Sequence, residues 1–363
     1  MMPSVVQLLN LPISNTKMGR RLAQKPSSAS GLTQILLALL SLLWSIPCGI
    51  ASFLYTLYIM TKDDTPTFVI PDTIFGMAAA TTASLFTITN QTGGIPAMRR
   101  LNWTGFALVF MRTLSFNWLN LFIFDLSNQR ISSAEDKLNK PWRPIPSGRM
   151  SESRMRHWLL IAIPVVFGYT HVYLHAGTET ALLFVHNWMY NDLGGGDSNW
   201  LLRNGILASG FSFYNLGSMK ITAAYASVLV GDVRSTSDAV VDASNLGYAW
   251  AAIISGVIFT TMHVQDLKDM EGDRARGRRT APIIYGHRSA GWTVAVPVLM
   301  WTVVGLWFWN APLWTCFGVV VLGTTVAWRC VSMEGPIADR RTWHLWCAWT
   351  VVLYLLPPLC VGV

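Results

Sequence analysis

The sequence predicts an all-α protein that crosses a membrane many times. Of its 363 residues, 52% are hydrophobic and only 13% are charged, whereas soluble domains carry about a quarter charged residues. Apolar runs that match roughly 30 Å of hydrocarbon recur along the whole chain. The 17 Trp suit the two faces of a bilayer, where indole rings collect.

The first apolar run, Leu32 to Met60, follows a Ser-rich head, residues 1–31, that carries Lys17, Arg20, Arg21 and Lys25 and no Asp or Glu. That composition predicts disorder and resembles a transit peptide. The run behind it is far longer than a signal-peptide core, so residues 32–63 are expected to stay as an anchor or an extra span. Nine further runs follow: Thr67 to Thr87, Trp103 to Leu126, His157 to Leu174, Ala181 to Met189, Leu201 to Ile221, Leu246 to Val264, Trp292 to Trp309, Leu313 to Cys330 and Trp343 to Val361. Ala181 to Met189 is too short to span unaided. The five cysteines lie in or at the ends of apolar runs and form no CxxC pair, a pattern of packing residues without a disulfide framework or zinc site.

The net charge of +8 does not mark a nucleic-acid partner, because the bases gather in two loops, Arg130 to Arg156 and Lys268 to Arg288. By the positive-inside rule both loops are cytoplasmic, and the four runs between them place them on one face. The basic head fits that face only if the first run is not a simple span; otherwise it lies on the other side.

Both loops carry acids at helical spacing. Asn128, Ser132, Glu135 and Asp136 stand at i, i+4, i+7 and i+8, one face of a continuous helix. Asp266, Asp269 and Asp273 stand at i, i+3 and i+7, on a helix extended from the preceding run. An acid at membrane depth costs about 2.5–3.5 kcal/mol, so positive charge must lie between the stripes. Mg²⁺ suits oxygen ligands and bridges one or two carboxylates to phosphates. Lys140, Arg143 and Arg149 after the first stripe, and Arg274, Arg278 and Arg279 after the second, can neutralise a polyanion. Acids and bases together imply a metal-bound diphosphate. Either cluster alone would read as a solvated loop end; two acid stripes on one face favour a site. His263 reads as a core or interface histidine.

The stretch NKPWRPIPSG, Asn139 to Gly148, and the triplet Asp266, Asp269 and Asp273 resemble the UbiA superfamily of intramembrane prenyltransferases. There the motif NDxxDxxxD precedes N-[RK]-P-x-R-P-I-P-x-G, and DxxDxxxD follows later. The resemblance covers the chain from about Asp64 onward and implies a nine-helix bundle as one domain, residues 64–363, with the N-terminal apolar helix extra. It further implies Mg²⁺ on Asn128, Glu135, Asp136, Asp266, Asp269 and Asp273, with Asp136, Asp266 and Asp269 catalytic. An isoprenyl diphosphate would be held by Gln129, Ser132, Lys140, Arg143, Tyr190, Lys268, Arg278 and Arg279.

The first motif departs from the family pattern. It reads N-Q-x-x-S-x-x-E-D, with Ser132 where the middle acid belongs and Glu135 added beside Asp136. With WMYNDLGGGD, Trp188 to Asp197, it is similar to the fungal branch that contains membrane-bound sesquiterpene cyclases. Tyr190 corresponds to a tyrosine of the family, whose usual lysine is missing here. The resemblance therefore implies a cyclase acting on farnesyl diphosphate in secondary metabolism, in the endoplasmic reticulum ahead of the mitochondrial inner membrane. Transfer of a prenyl group to an aromatic acceptor is the alternative. A non-catalytic transporter or scaffold is disfavoured by the match of both stripes to a catalytic family.

Overall fold

The chain's long helices follow the apolar runs. The computed structural model describes residues 49–82, 86–88, 96–236 and 242–361; the basic head and most of the first apolar run lie outside the described residues. The end of that run is an apolar helix, α1, Gly49–Thr61. After it come α2 (Thr65–Thr81), α3 (Trp103–Gln129), the short α4 (Ser133–Asn139), α5 (Glu152–Val172), α6 (Gly177–Asn191) and α7 (Trp200–Leu229). Then follow α8 (Asn245–Thr261), α9 (Val264–Arg276), α10 (Ala281–Tyr285), α11 (His287–Phe308), α12 (Leu313–Ser332), α13 (Pro336–Tyr354) and α14 (Leu356–Val361). A two-residue antiparallel ladder, Thr87–Ile88 with Asp242–Ala243, joins two loops.

By length and composition α3, α11 and α12 can each cross a bilayer, as can α8 and α9 together if their 44° bend is one broken span. Large apolar side chains such as Leu160, Val165, Val303, Trp307 and Phe317 are exposed, as lipid-facing positions require. The interior is partly polar. Asn117 on α3 donates to Thr73 Oγ1 on α2 at 3.0 Å and to Ser218 Oγ on α7 at 2.9 Å, all three buried. Such bonds hold membrane helices together where no hydrophobic effect separates protein from lipid, at about 0.6–2 kcal/mol each.

Helix starts are set locally. The side chains of Asn102, Ser151, Asn199 and Ser244 each accept from the backbone N–H three residues on, opening α3, α5, α7 and α8. Each such cap contributes about 1 kcal/mol. The short run Ala181 to Met189 is the centre of α6, while α7 continues eight residues beyond the expected Ile221.

The first polar stripe is not on one helix. α3 ends at Gln129 and α4 begins at Ser133; at the break Asn128 O accepts from the Ile131 N–H at 3.2 Å and from the Ser132 hydroxyl at 2.8 Å. The break swings α4 against α9. α2 packs on α3, α7 and α13, and α7 packs on α3, α6 and α8. The start of α2, the ends of α3 and α6 and the start of α7 meet at the end of the bundle where both polar insertions lie.

Candidate active site

Asn139, the last residue of α4, stitches the two acidic insertions together. Its Nδ2 donates to Asp269 O at 3.0 Å and its Oδ1 accepts from Gly272 N at 3.1 Å. A Cβ at Gly272 would stand 2.3 Å from Asn139 Nδ2, so only glycine permits this approach. Gly272→Ala is expected to part the insertions, costing about 1–3 kcal/mol and about a hundredfold in turnover, as a 1 Å misplacement can. Thermal unfolding and activity in detergent measure both; wild-type values would show that the stitch does not set the spacing.

Around this joint each acid is taken by a cation. Arg143 donates from Nη1 to Asp136 Oδ1 at 2.9 Å and from Nη2 to Asp64 Oδ2 at 2.6 Å, with Asp125 Oδ1 at 3.8 Å. Arg278 reaches Glu135 Oε1 at 2.7 Å, Asp273 Oδ1 at 3.0 Å and Asp197 Oδ1 at 2.8 Å. Gly277, at φ +79°, ends α9 and turns the chain so that Arg278 folds back over Asp273. Arg276 joins Glu135 Oε2 and Asp197 Oδ2, each at 3.0 Å. Arg203 on α7 pairs with Asp266 and donates from Nε to Tyr190 OH at 3.0 Å. Lys268 pairs with Asp269.

Charge balance follows from these partners. Burial pushes the Asp136 carboxyl above its usual range against the pull of Arg143 and Lys140. Burial also acts upward on Asp197, but its bonds to Arg278 and Arg276 outweigh it and hold that carboxyl low. Burial acts downward on Arg143, and its carboxylate neighbours more than reverse this. The guanidinium stays charged.

Two cavities meet here. The first is polar, with Asn128, Glu135, Lys140, Arg143, Asp269 and Arg278 in its wall beside Asp64, Arg203 and Gln265. Phe68, Phe124, Tyr190 and Leu207 complete that wall and also form part of the wall of a second, apolar cavity. This inner cavity continues between α2, α3, α6 and α7 past Ile123, Leu183 and Gly210 to Tyr214. Its rings touch one another: Phe68 lies 6.0 Å from Phe124 and 5.7 Å from Tyr214, and Phe124 lies 5.3 Å from Tyr190.

The expected site residues thus divide by position. Asn128, Glu135, Lys140, Arg143, Tyr190, Asp269 and Arg278 line the polar cavity. Ser132, Asp136, Asp266, Lys268 and Asp273 stand directly behind that lining and are bonded to its neighbours. Gln129 faces away, donating to Met60 O at 2.8 Å and to Asp125 Oδ1 at 3.2 Å. Arg279 is exposed. His263 is a buried core residue, with Asn204 Nδ2 at 3.1 Å from Nδ1 and Thr293 Oγ1 at 2.9 Å from Nε2.

Residues 80–350 match the UbiA prenyltransferase family. The chain belongs to this family. It is 30% identical over 237 residues to the somaliensene A/B synthase of Streptomyces somaliensis, covering 63% of this chain and 72% of that protein. It is 26% identical over 263 residues to the fumagillin beta-trans-bergamotene synthase of Aspergillus fumigatus, covering 72% and 77%. A UbiA homolog from Archaeoglobus fulgidus, solved with GPP and Mg²⁺, shares the fold at a TM-score of 0.51 and 8% identity, over 85% of this chain and 100% of that one.

In this UbiA protein the acids fit a hard cation. Among the described residues no three His, Cys, Asp or Glu side chains form a ready-made metal cage. Mg²⁺ needs none, since it keeps several waters and takes one or two carboxylates with substrate phosphates. The donors facing the joint are oxygens, and Asp266 Oδ2 and Asp273 Oδ2 are buried without a hydrogen-bond partner. Asp64, Asp125, Asp197, Arg203 and Arg276 escaped the sequence reading. Arg203 and Asp125 carried the usable signal, for each is a charge inside an apolar run, and such charges mark function by default.

Proposed function

We propose that this UbiA protein ionises farnesyl diphosphate with Mg²⁺ and cyclises it to a bergamotene-like sesquiterpene hydrocarbon, for terpenoid secondary metabolism in the endoplasmic reticulum membrane. One observation carries the reading: a cavity walled by acids and bases shares Phe68, Phe124, Tyr190 and Leu207 with an apolar, aromatic cavity behind it. A diphosphate suits the first and a folded isoprenoid chain the second. The relatedness to two terpene synthases agrees with it.

Arg143, Lys140, Arg203 and Arg278 bind the diphosphate oxygens, and Asn128, Glu135 and Asp269, backed by Asp136, Asp266 and Asp273, would hold the metal. Mg²⁺, when bound, supplies charge neutralisation that makes pyrophosphate a good leaving group. The guanidinium groups stabilise the charge that develops on the leaving oxygen, in a site that has little water to compete. As the C1–O bond breaks, its electron pair leaves with pyrophosphate. Recombination of pyrophosphate at C3 frees rotation about C2–C3; after its second departure, electrons of the two remote double bonds form the two ring bonds in turn, and loss of a proton to pyrophosphate completes the alkene. The faces of Phe68, Phe124 and Tyr214 stabilise the passing cation, at about 0.5–2 kcal/mol per ring.

The test is direct. Membranes containing the protein, Mg²⁺ and farnesyl diphosphate are expected to release a cyclic sesquiterpene, detected in the headspace by gas chromatography with mass detection. Turnover that begins only when an aromatic acid is added would replace the cyclase with a prenyltransferase.

A further inference from the structure

Asn120 sits on α3 in the wall of the inner cavity, eight residues before Asn128 and so roughly 12 Å deeper along the helix. It is 3% exposed. Its Nδ2 donates to Phe116 O at 2.9 Å, and because a carbonyl only accepts, this bond fixes which end of the amide is nitrogen. Asn120 Oδ1 is then left buried with no partner. An unsatisfied acceptor costs about 1–3 kcal/mol. Three other polar side chains of the same wall have partners: His186 Nδ1 lies 2.8 Å from Leu182 O, Asn187 Oδ1 accepts from Asn191, and Tyr190 accepts from Arg203.

We propose that Asn120 Oδ1 is the fixed negative dipole that stabilises positive charge at the inner end of the cavity, and so decides how far the cation travels before it is quenched. The inference rests on the cyclase reading. At the mouth the freed pyrophosphate attracts the cation; that attraction falls with distance. Once ring closure has moved the charge inward, stabilisation must come from the wall. Asn120 supplies it without reorganising, since its amide is held by Phe116 before substrate arrives. No bond to Asn120 forms or breaks.

The experiment compares Asn120→Leu and Asn120→Asp with the unaltered protein, using farnesyl diphosphate and Mg²⁺. Asn120→Leu is expected to raise the ratio of acyclic to cyclic products by about tenfold or more, the effect of losing one oriented dipole. Asn120→Asp, protonated in that apolar wall, keeps a carbonyl oxygen and restores most of the cyclic product. Thermal unfolding separates this from a structural role: Asn120→Leu removes an unsatisfied acceptor and should be at least as stable as the parent. An unchanged product mixture, whatever the melting temperature, would overturn the assignment of Asn120 alone. Absence of any hydrocarbon from the unaltered protein would overturn the cyclase reading and this assignment together.

Discussion

Asp269→Asn is expected to remain folded and to lose about a thousandfold in turnover, the upper range for removing one group that stabilises transition-state charge. Asp269 is the acid of the second motif that lines the polar cavity, and among the described residues it pairs with Lys268. Without that charge Lys268 keeps a second contact, the face of the Trp343 ring 4.9 Å away. Asp266 makes a poorer test, because its loss would leave Arg203 buried beside Tyr190 without its counter-charge. Stranding such a charge costs about 3–5 kcal/mol, so inactivity there could be mere unfolding. Mg²⁺ titration gives a second readout for Asp269→Asn: residual activity should need more metal than the parent. Parental activity at the same Mg²⁺ concentration would remove Asp269 from the metal-holding set.

Arg143→Met is expected to destabilise the protein by about 3–5 kcal/mol, the penalty for leaving buried charges without their partner. Arg143 is 2% exposed and stands among Asp64, Asp125 and Asp136. Adding Asp136→Asn to Arg143→Met should recover part of the loss, a coupling that a double-mutant cycle isolates. Thermal unfolding in detergent measures it. A melting temperature equal to the parent's would mean that the three acids are stabilised some other way.

How much of this could be read from the chain depends on the range of the physics. Apolar runs report burial directly, and α11 and α12 lie close to the expected Trp292 to Trp309 and Leu313 to Cys330. The break between α3 and α4 was not legible: no Gly or Pro marks it, and Ser132 reveals its back-bond to Asn128 only in three dimensions. Acids and bases were visible as types, but their pairing was not. Arg276 meets Glu135 across 141 positions and Arg278 meets it across 143. Gln129 shows the limit from the other side: it is adjacent in sequence to Asn128, yet one step around the helix turns it from the cavity toward Met60.

The stitch through Asn139 has a mechanical consequence. Bilayers of different thickness make spanning helices tilt, and the elements between the two acidic insertions include α5, α6, α7 and α8. Were the insertions positioned only by that intervening chain, each tilt would alter the gap between them. Asn139 instead grips the backbone at Asp269 and Gly272 across 130 and 133 positions, so the mouth moves as one piece. The spacing of its acids is insulated from strain in the surrounding lipid.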